Sequence, residues 1–464
     1  MKLQFFGAAQ RVTGSKHLLT TQSGQQILLD CGLFQGIDTQ DLNLDFGFDP
    51  SQVSVLVLSH AHIDHSGLIP RLVAKGFSGP IICTHATKDL CTILLGDSAR
   101  IQASDISRIN KRRATKNEQP LEVLYEQADV EKALSLFQSV DYHQTFMICK
   151  DVKGEFFDAG HLLGSAGVML DFEENNKTKK LFFTGDIGRP NDKILRSPEA
   201  FPQADFIICE STYGNKLHEA EADVKEHLRQ IVEKICVQQG GKLMIPAFSI
   251  DRTQELVYTL DQLSSEGKLP DIKVFIDSPL SVNATKIMAK HQECFNTEIL
   301  AYLNKDGDPF AFPNLYYISS SEDSKKINDL QEPCVIISSS GMAEAGRIKH
   351  HIANNIEDEK SAILLVGYTS PNSLGGQLKA GARQVYIFGK QFEVKTEVLV
   401  MDSFSAHADY QEMIAHLDCQ DKRKVQRLFL VHGEIDTQTA FKARLEKVGW
   451  QNIEIPAMKD AFEI

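Results

Sequence analysis

The sequence predicts an α/β protein in which one domain is interrupted by another. Two observations carry that expectation. Short apolar runs rich in Val, Ile and Leu alternate with helical stretches from end to end, the alternation from which layered α/β folds are built. Residues of metal-ligand type close such runs early in the chain and again very late, with an α/β stretch between.

The 464 residues leave room for roughly two to four domains. In the first part, "QQILLDCG", "VSVLVLSH", "PIICTH", "KKLFFTGD" and "DFIICES" read as strands, each an apolar run closed by Gly, Asp, Ser or His. The polar stretch "DSARIQASDISRINKRRATKNEQP" among them reads as helix. A second helix is expected from about Ala220 to Gln239, followed by strands in "GKLMIPAF", "DIKVFIDSP", "EPCVIISSSG" and "SAILLVGY". The chain then returns to strands that end in histidine, "TEVLVMDSFSAH" and "RLFLVHGE".

Composition is that of an ordinary globular protein, 42% hydrophobic and 24% charged. No apolar run approaches the roughly 18 residues that span a bilayer, so no membrane partner is expected. The start, "MKLQFFGAAQRVTGS", lacks a secretory apolar core. Nine cysteines are dispersed without a CxxC pair, which points to reduced thiols in a cytoplasmic protein. The net charge of −13 argues weakly against a generic nucleic-acid binder, although paired divalent cations would reverse the sign locally.

The chemistry concentrates after "VSVLVLS". His60, His62, Asp64 and His65 follow that strand within six positions. Asp30, His161, Asp186, His407 and His432 close or follow other strands, mostly beside a glycine. This set exceeds the three or four ligands of one metal and suits two metals sharing a carboxylate. Imidazole with carboxylate and no thiolate favours zinc, with manganese or iron as alternatives. Isolated histidines such as His85 and His143 read instead as ordinary surface or core residues. "ISSSGMAEAGR" places Ser338, Ser340 and Gly341 after a strand and is expected to open a helix. Such a turn suits either an anion or a plain serine cap. The basic run Arg108, Lys111, Arg112, Arg113 and Lys116 reads as a solvated helix face, with an RNA backbone as the alternative.

With "SHAHIDH", "GH", "GD" and "HGE" in order, the chain resembles the metallo-β-lactamase superfamily. With "CESTYGN", "IPAFSIDRTQEL", "ISSSGMAEAGRIKHHI" and "FSAHADYQEM" as well, it resembles that superfamily's β-CASP branch of nucleic-acid hydrolases. Within the branch it is similar to bacterial and archaeal relatives of the endonuclease subunit of the pre-mRNA 3′-end cleavage complex. The resemblance implies an αββα sandwich in two parts, residues 1–210 and 396–464, around an inserted α/β β-CASP domain at 211–395.

It also implies roles. His60, His62 and His161 would hold one zinc, Asp64, His65 and His432 the other, and Asp186 would bridge them. Hydroxide held by the metals would be the nucleophile and His407 the general acid, oriented by Glu210. Asp30 would support the "HAHIDH" loop, and Asp64 joins these three residues in the catalytic set. A histidine at position 432 goes with the RNA-processing members, so RNA is the expected substrate. It would be single-stranded because only a narrow strand would fit the implied cleft, with endonuclease the preferred activity and 5′ exonuclease the secondary one. Ser338, Ser340 and Gly341 become phosphate contacts, whereas Gln377 stands where relatives often carry a basic residue. A homodimer is implied only by analogy. Two other readings stay open on sequence alone: a thioester or small-molecule hydrolase of the same superfamily, and an inactive scaffold partner.

Overall fold

The structure is a computed structural model and describes residues 1–36, 39–174, 177–218, 223–367, 369–401 and 406–464. Ala220, Tyr368 and Asp402–Ser405, which the sequence pattern includes in a helix and two strands, lie outside the described residues. The chain divides into two compact units, residues 1–217 with 406–464, and residues 218–405.

The first unit is built on two seven-stranded sheets. One runs in the order Ala461–Glu463, Lys2–Phe5, His17–Thr20, Gln26–Leu29, Val53–Val57, Ile81–Cys83, Phe137–Ser139. The other runs Ile453–Glu454, Arg427–Val431, Phe206–Glu210, Lys177–Phe183, Ala166–Glu174, Val152–Asp158, Phe146–Cys149. Each sheet joins an antiparallel half to a parallel half. Gln26–Leu29 pairs in parallel with Val53–Val57, and Phe206–Glu210 in parallel with both Lys177–Phe183 and Arg427–Val431.

Alternate residues of these strands face opposite sides. Leu29, Val57, Val168, Phe183, Ile208 and Phe429 meet in one core between the sheets. Phe182, Ile207, Leu428 and Leu430 turn the other way, onto Met413, Leu417, Phe441 and Leu445 of helices Tyr410–Leu417 and Ile435–Lys447. The second sheet is therefore buried on both faces.

The second unit has a six-stranded parallel sheet, ordered Leu315–Tyr317, Lys273–Ile276, Cys334–Ser338, Lys242–Pro246, Ala362–Val366, Glu397–Met401. A two-stranded hairpin, Gln384–Ile387 with Lys390–Glu393, belongs to the same unit. Every residue of Lys242–Pro246, Cys334–Ser338 and Ala362–Val366 is buried, so these strands read as mainly apolar runs, with Lys242 and Ser338 at their ends. Glu397–Met401 hydrogen-bonds in register to Ala362–Val366, which ties the segment after residue 395 to this sheet.

Strand His17–Thr20 carries an unusual core residue. His17 is fully buried between Phe5 and Phe183, with ring centroids 5.2 and 5.5 Å away. Neither ring nitrogen has a hydrogen-bond partner among the described residues. Burial, reinforced by nearby positive groups, brings its pKa down to about 3. A histidine that titrates near 6.5 when unfolded and about 3 when folded binds fewer protons in the native state between those values. Its neutral form is fully compatible with the fold above pH ~6.5, and stability is lost as pH falls below that, by about 1.4 kcal/mol per unit. His17→Leu is therefore expected to match or exceed wild-type stability at pH 7.5. It should also lose less stability than wild type between pH 7 and 5, as read by denaturant unfolding at both pH values.

Candidate metal centre

The parallel strands deliver their C-terminal ends to one place, where α/β sheets commonly present functional groups. Asp30 follows Gln26–Leu29, the His60–His65 segment follows Val53–Val57, and Asp186 follows Lys177–Phe183. Glu210 ends Phe206–Glu210, and His432 follows Arg427–Val431. His161 sits on the turn between Val152–Asp158 and Ala166–Glu174. Asp30 and His432 both take left-handed backbone conformations, φ 57° and 53°, which bend the chain sharply at the strand ends.

Two glycines allow these loops to touch. A Cβ on Gly32 would lie 1.6 Å from the Asp64 carbonyl oxygen, and one on Gly188 would lie 1.8 Å from that of Gly160. The ligand-bearing turn is pinned further by Ser15 N–H donating to Asp64 O at 2.8 Å and Cys31 N–H to His65 O at 2.7 Å. Beneath it the buried Lys16 ammonium donates to the carbonyls of Gly14 and Gly32, at 2.9 and 2.8 Å, with the Phe34 ring 4.0 Å away.

The donors form two groups. His62 Nδ1 lies 3.1 Å from His60 Nε2 and 3.2 Å from His161 Nε2, and Asp186 Oδ2 is 3.5 Å from both Nε2 atoms. Ligands 2.0–2.1 Å from a common centre at tetrahedral corners lie about 3.3–3.4 Å apart, so these separations fit a small divalent cation. In the second group, His65 Nε2 and His432 Nε2 are 3.0 Å apart and Asp64 Oδ2 is 3.5 Å from His432 Nε2. Asp186 reaches this group too, with Oδ2 3.3 Å from His65 Nε2 and Oδ1 3.7 Å from His432 Nε2. Asp186 Oδ1 is buried without a hydrogen-bond partner among the described residues. An orphaned carboxylate oxygen facing a wall of imidazoles is costly unless a cation takes it up. The residues present fit metal binding.

Each Nε2 is aimed inward by what holds the opposite nitrogen. The Ser59 hydroxyl donates to Asp30 Oδ2 at 2.9 Å, so it can only accept from His60 Nδ1, 3.0 Å away. The Thr212 hydroxyl donates to the His432 carbonyl at 3.1 Å and accepts from His432 Nδ1 at 2.9 Å. Asp30 Oδ2 accepts from His65 Nδ1 at 2.6 Å, and the Ala406 carbonyl faces His161 Nδ1 at 3.4 Å. With Nδ1 engaged as the donor, Nε2 is the nitrogen left for the cluster. His62 is the exception and presents Nδ1.

The charge pattern agrees. Burial holds His60 and His161 well below the usual histidine range and brings His62 down to about 4. Burial also opposes ionisation of Asp64 and Asp186, but the surrounding imidazoles, His432 foremost, keep both carboxyls below their usual range. His65 is pushed well above its ordinary value because Asp186 and Asp30 outweigh its burial.

At the edge of the cluster, His407 Nδ1 lies 3.1 Å from Glu210 Oε1 and 4.0 Å from Asp186 Oδ2, with its ring 4.5 Å from that of His161. Glu210 is fully buried and fixed by the N–H groups of Ile187 and Thr212, at 2.6 and 3.2 Å. Burial would lower the His407 pKa, but Glu210, with Asp186 and Asp64, pushes it up to about 9. The His407 side chain is 21% exposed, so a protonated imidazole reaches the surface of the site. His407 does not close a strand of this unit: the strand before it ends at Met401 and belongs to the other unit's sheet. Ser59 and Thr212 are missed by the sequence pattern because a lone hydroxyl carries none. Their only signal is adjacency, next to His60 and two residues after Glu210.

The remaining expected residues are engaged with local partners. Ser338 is buried and its hydroxyl donates to the Asp277 carbonyl at 2.6 Å, which leaves it engaged within the second unit. Ser340 Oγ meets Ala345 at 3.3–3.4 Å. Gly341 does not open a helix. Residues 340–346 form turns, with Ala343 N–H donating to Ser340 O, and the helix starts only at Ile348. Arg108, Lys111, Arg112 and Arg113 lie on the last part of helix His85–Ala114 and Lys116 just beyond it; Arg113 pairs with Glu118 at 3.0 Å and Arg108 with Asp105 at 3.8 Å. His85 and His143 face Asp141 and Glu199 at the surface.

Comparison with known proteins is consistent with this geometry. Residues 17–136 match the family described as the metallo-beta-lactamase superfamily, residues 253–378 the Beta-Casp domain, and residues 391–456 the Zn-dependent metallo-hydrolase RNA specificity domain. The chain is 32% identical to Ribonuclease TTHA0252 of Thermus thermophilus over 434 residues, covering 94% of this chain and 93% of that one. It is 29% identical to an RNase J-like protein of Methanocaldococcus jannaschii, covering 98% and 96%. It is also 29% identical to the Drosophila melanogaster cleavage and polyadenylation specificity factor 73, covering 96% of this chain but 62% of that longer one.

The Thr212 hydroxyl is the partner that fixes His432 Nδ1. Thr212→Val keeps the shape and removes that acceptor. It is expected to weaken metal binding about 10- to 100-fold with folding intact, measured by zinc titration of chelator-stripped protein against a competing dye. Affinity equal to wild type would contradict the orienting role.

Proposed function

The chain belongs to the metallo-β-lactamase superfamily, in the branch with a β-CASP domain, and from that premise we propose a two-zinc ribonuclease acting on single-stranded RNA. A metal-dependent hydrolase of RNA is supported by its kinship with ribonucleases and by the RNA specificity domain matched near the C-terminus. The observation that carries the finer reading is the His407–Glu210 pair beside two donor groups that share Asp186.

In this reading His60, His62 and His161 hold one ion, Asp64, His65 and His432 the other, and Asp186 serves both. Imidazole and carboxylate donors without thiolate suit zinc, with manganese and iron as alternatives. Divalent ions there supply a water of lowered pKa and offset negative charge building on a phosphoryl group. Asp30 keeps His65 in place through Nδ1. Glu210 accepts the Nδ1 proton of His407 and favours its charged form, so that Nε2 holds a proton to give away. As the oxygen of a water molecule bonds to phosphorus and the P–O3′ bond breaks, that proton passes to the departing ribose oxygen, leaving a 3′-hydroxyl and a 5′-phosphate. Endonucleolytic cleavage is the primary activity proposed, with 5′ exonuclease activity on exposed ends. The complete ligand set favours this over an inactive scaffold.

The test is 5′-end-labelled single-stranded RNA offered to wild type and to His407→Ala, with metal content measured on both. Internal products from wild type, reduced about 10²- to 10⁴-fold in the variant at unchanged metal content, are expected. No cleavage by fully metallated wild type would contradict the nuclease reading and favour a small-molecule substrate.

A further inference from the structure

The hairpin of the second unit presents two largely exposed aromatic side chains. Tyr386 is 69% exposed and Phe388 56% exposed. Ile387 pairs with Lys390, so Phe388 and Gly389 form a two-residue turn, with φ of 52° and 78°. Two central residues at positive φ define the turn that normally takes Asn-Gly or Gly-Gly. A bulky phenylalanine at the first of them is an outlier. It is neither favoured by the backbone nor buried.

The surroundings suit an anionic, flat-faced ligand. The His350 ring stacks on Phe388 at 4.4 Å and 30°, and the Lys349 ammonium lies 5.6 Å from its centroid. Residues 379–395 carry four basic side chains, Arg383 and Lys390 among them, against one acidic one, in a chain whose net charge is −13. A second copy is disfavoured as the occupant, because a two-fold contact would set this basic patch against itself. Aromatic faces beside cations are the pattern on which successive bases of a single strand stack.

We propose that the tip of this hairpin is an accessory binding site for single-stranded RNA. Tyr386 and Phe388 stack on bases, and Lys349, Arg383 and Lys390 meet phosphates. The inference rests on the RNA reading above but assigns a site outside the metal centre.

Two variants test it. Phe388→Asn places the residue type that this turn prefers, so it should be at least as stable as wild type. Tyr386→Ser removes the second ring from an exposed position. Binding of a fluorescent, cleavage-resistant phosphorothioate RNA 20-mer is read by anisotropy, and kcat and KM on the cleavable RNA are read in parallel. Each variant is expected to bind about 5- to 100-fold more weakly, with KM raised, kcat retained and the melting temperature of Phe388→Asn not lowered. Wild-type affinity in both variants, with wild type cleaving RNA normally, would overturn the site. In that event an altered oligomeric state on gel filtration would assign the rings to a protein contact instead. A wild type that neither binds nor cleaves RNA would overturn the nuclease reading and this site with it.

Discussion

The organisation of the first unit depends on one buried carboxylate. Asp186 lies 3.3–3.7 Å from the Nε2 atoms of His60, His65, His161 and His432, which come from three further strand-end loops. Such a group is out of water, and four imidazoles of the described residues face it. The desolvation of so many polar groups is offset when cations join them. Holding the loops together then demands close backbone contact, which Gly32 and Gly188 permit, and sharp exits from the strands, which the left-handed Asp30 and His432 provide. The fold supplies this by bringing the parallel halves of two sheets to a common edge.

Around that centre one device is used twice. A buried carboxylate accepts Nδ1–H from a histidine and decides what its Nε2 does. Asp30 does this for His65, whose Nε2 points into the donor cluster. Glu210 does it for His407, whose side chain is partly exposed at the rim. Under the proposed function, the same pairing yields a metal ligand in one place and a proton carrier in the other. The distinction comes from where the ring sits, and hydroxyls of Ser59 and Thr212 extend the principle to His60 and His432.

Much of this is legible in the sequence, for physical reasons. Parallel strands buried on both faces, such as Cys334–Ser338 and Ala362–Val366, write themselves as mainly apolar runs. The candidate metal ligands stand just beyond such runs, where so many imidazoles and carboxylates are costly to gather unless a cation holds them. The antiparallel halves are less visible. Val152–Asp158 mixes Lys, Gly and Glu with its core residues, Ala166–Glu174 carries Gly167, Asp171 and two glutamates, and Phe146–Cys149 is apolar but only four residues long. The turn at 340–346 reads as a helix start in the sequence because Ser and Gly mark both. The partners Ser59, Thr212 and Lys16 emerge only when loops distant in sequence are placed together.

The claim that most directly decides this account is that Asp186 serves both donor groups while His161 and His432 each serve one. Metal content per chain, by plasma mass spectrometry, should be measured on zinc-loaded wild type, His161→Ala, His432→Ala and Asp186→Ala, with circular dichroism confirming that each is folded. The account predicts two ions in wild type, about one in each histidine variant, and little or none in Asp186→Ala. Wild-type metal content in a folded Asp186→Ala, or loss of both ions on removing His161 alone, would contradict it.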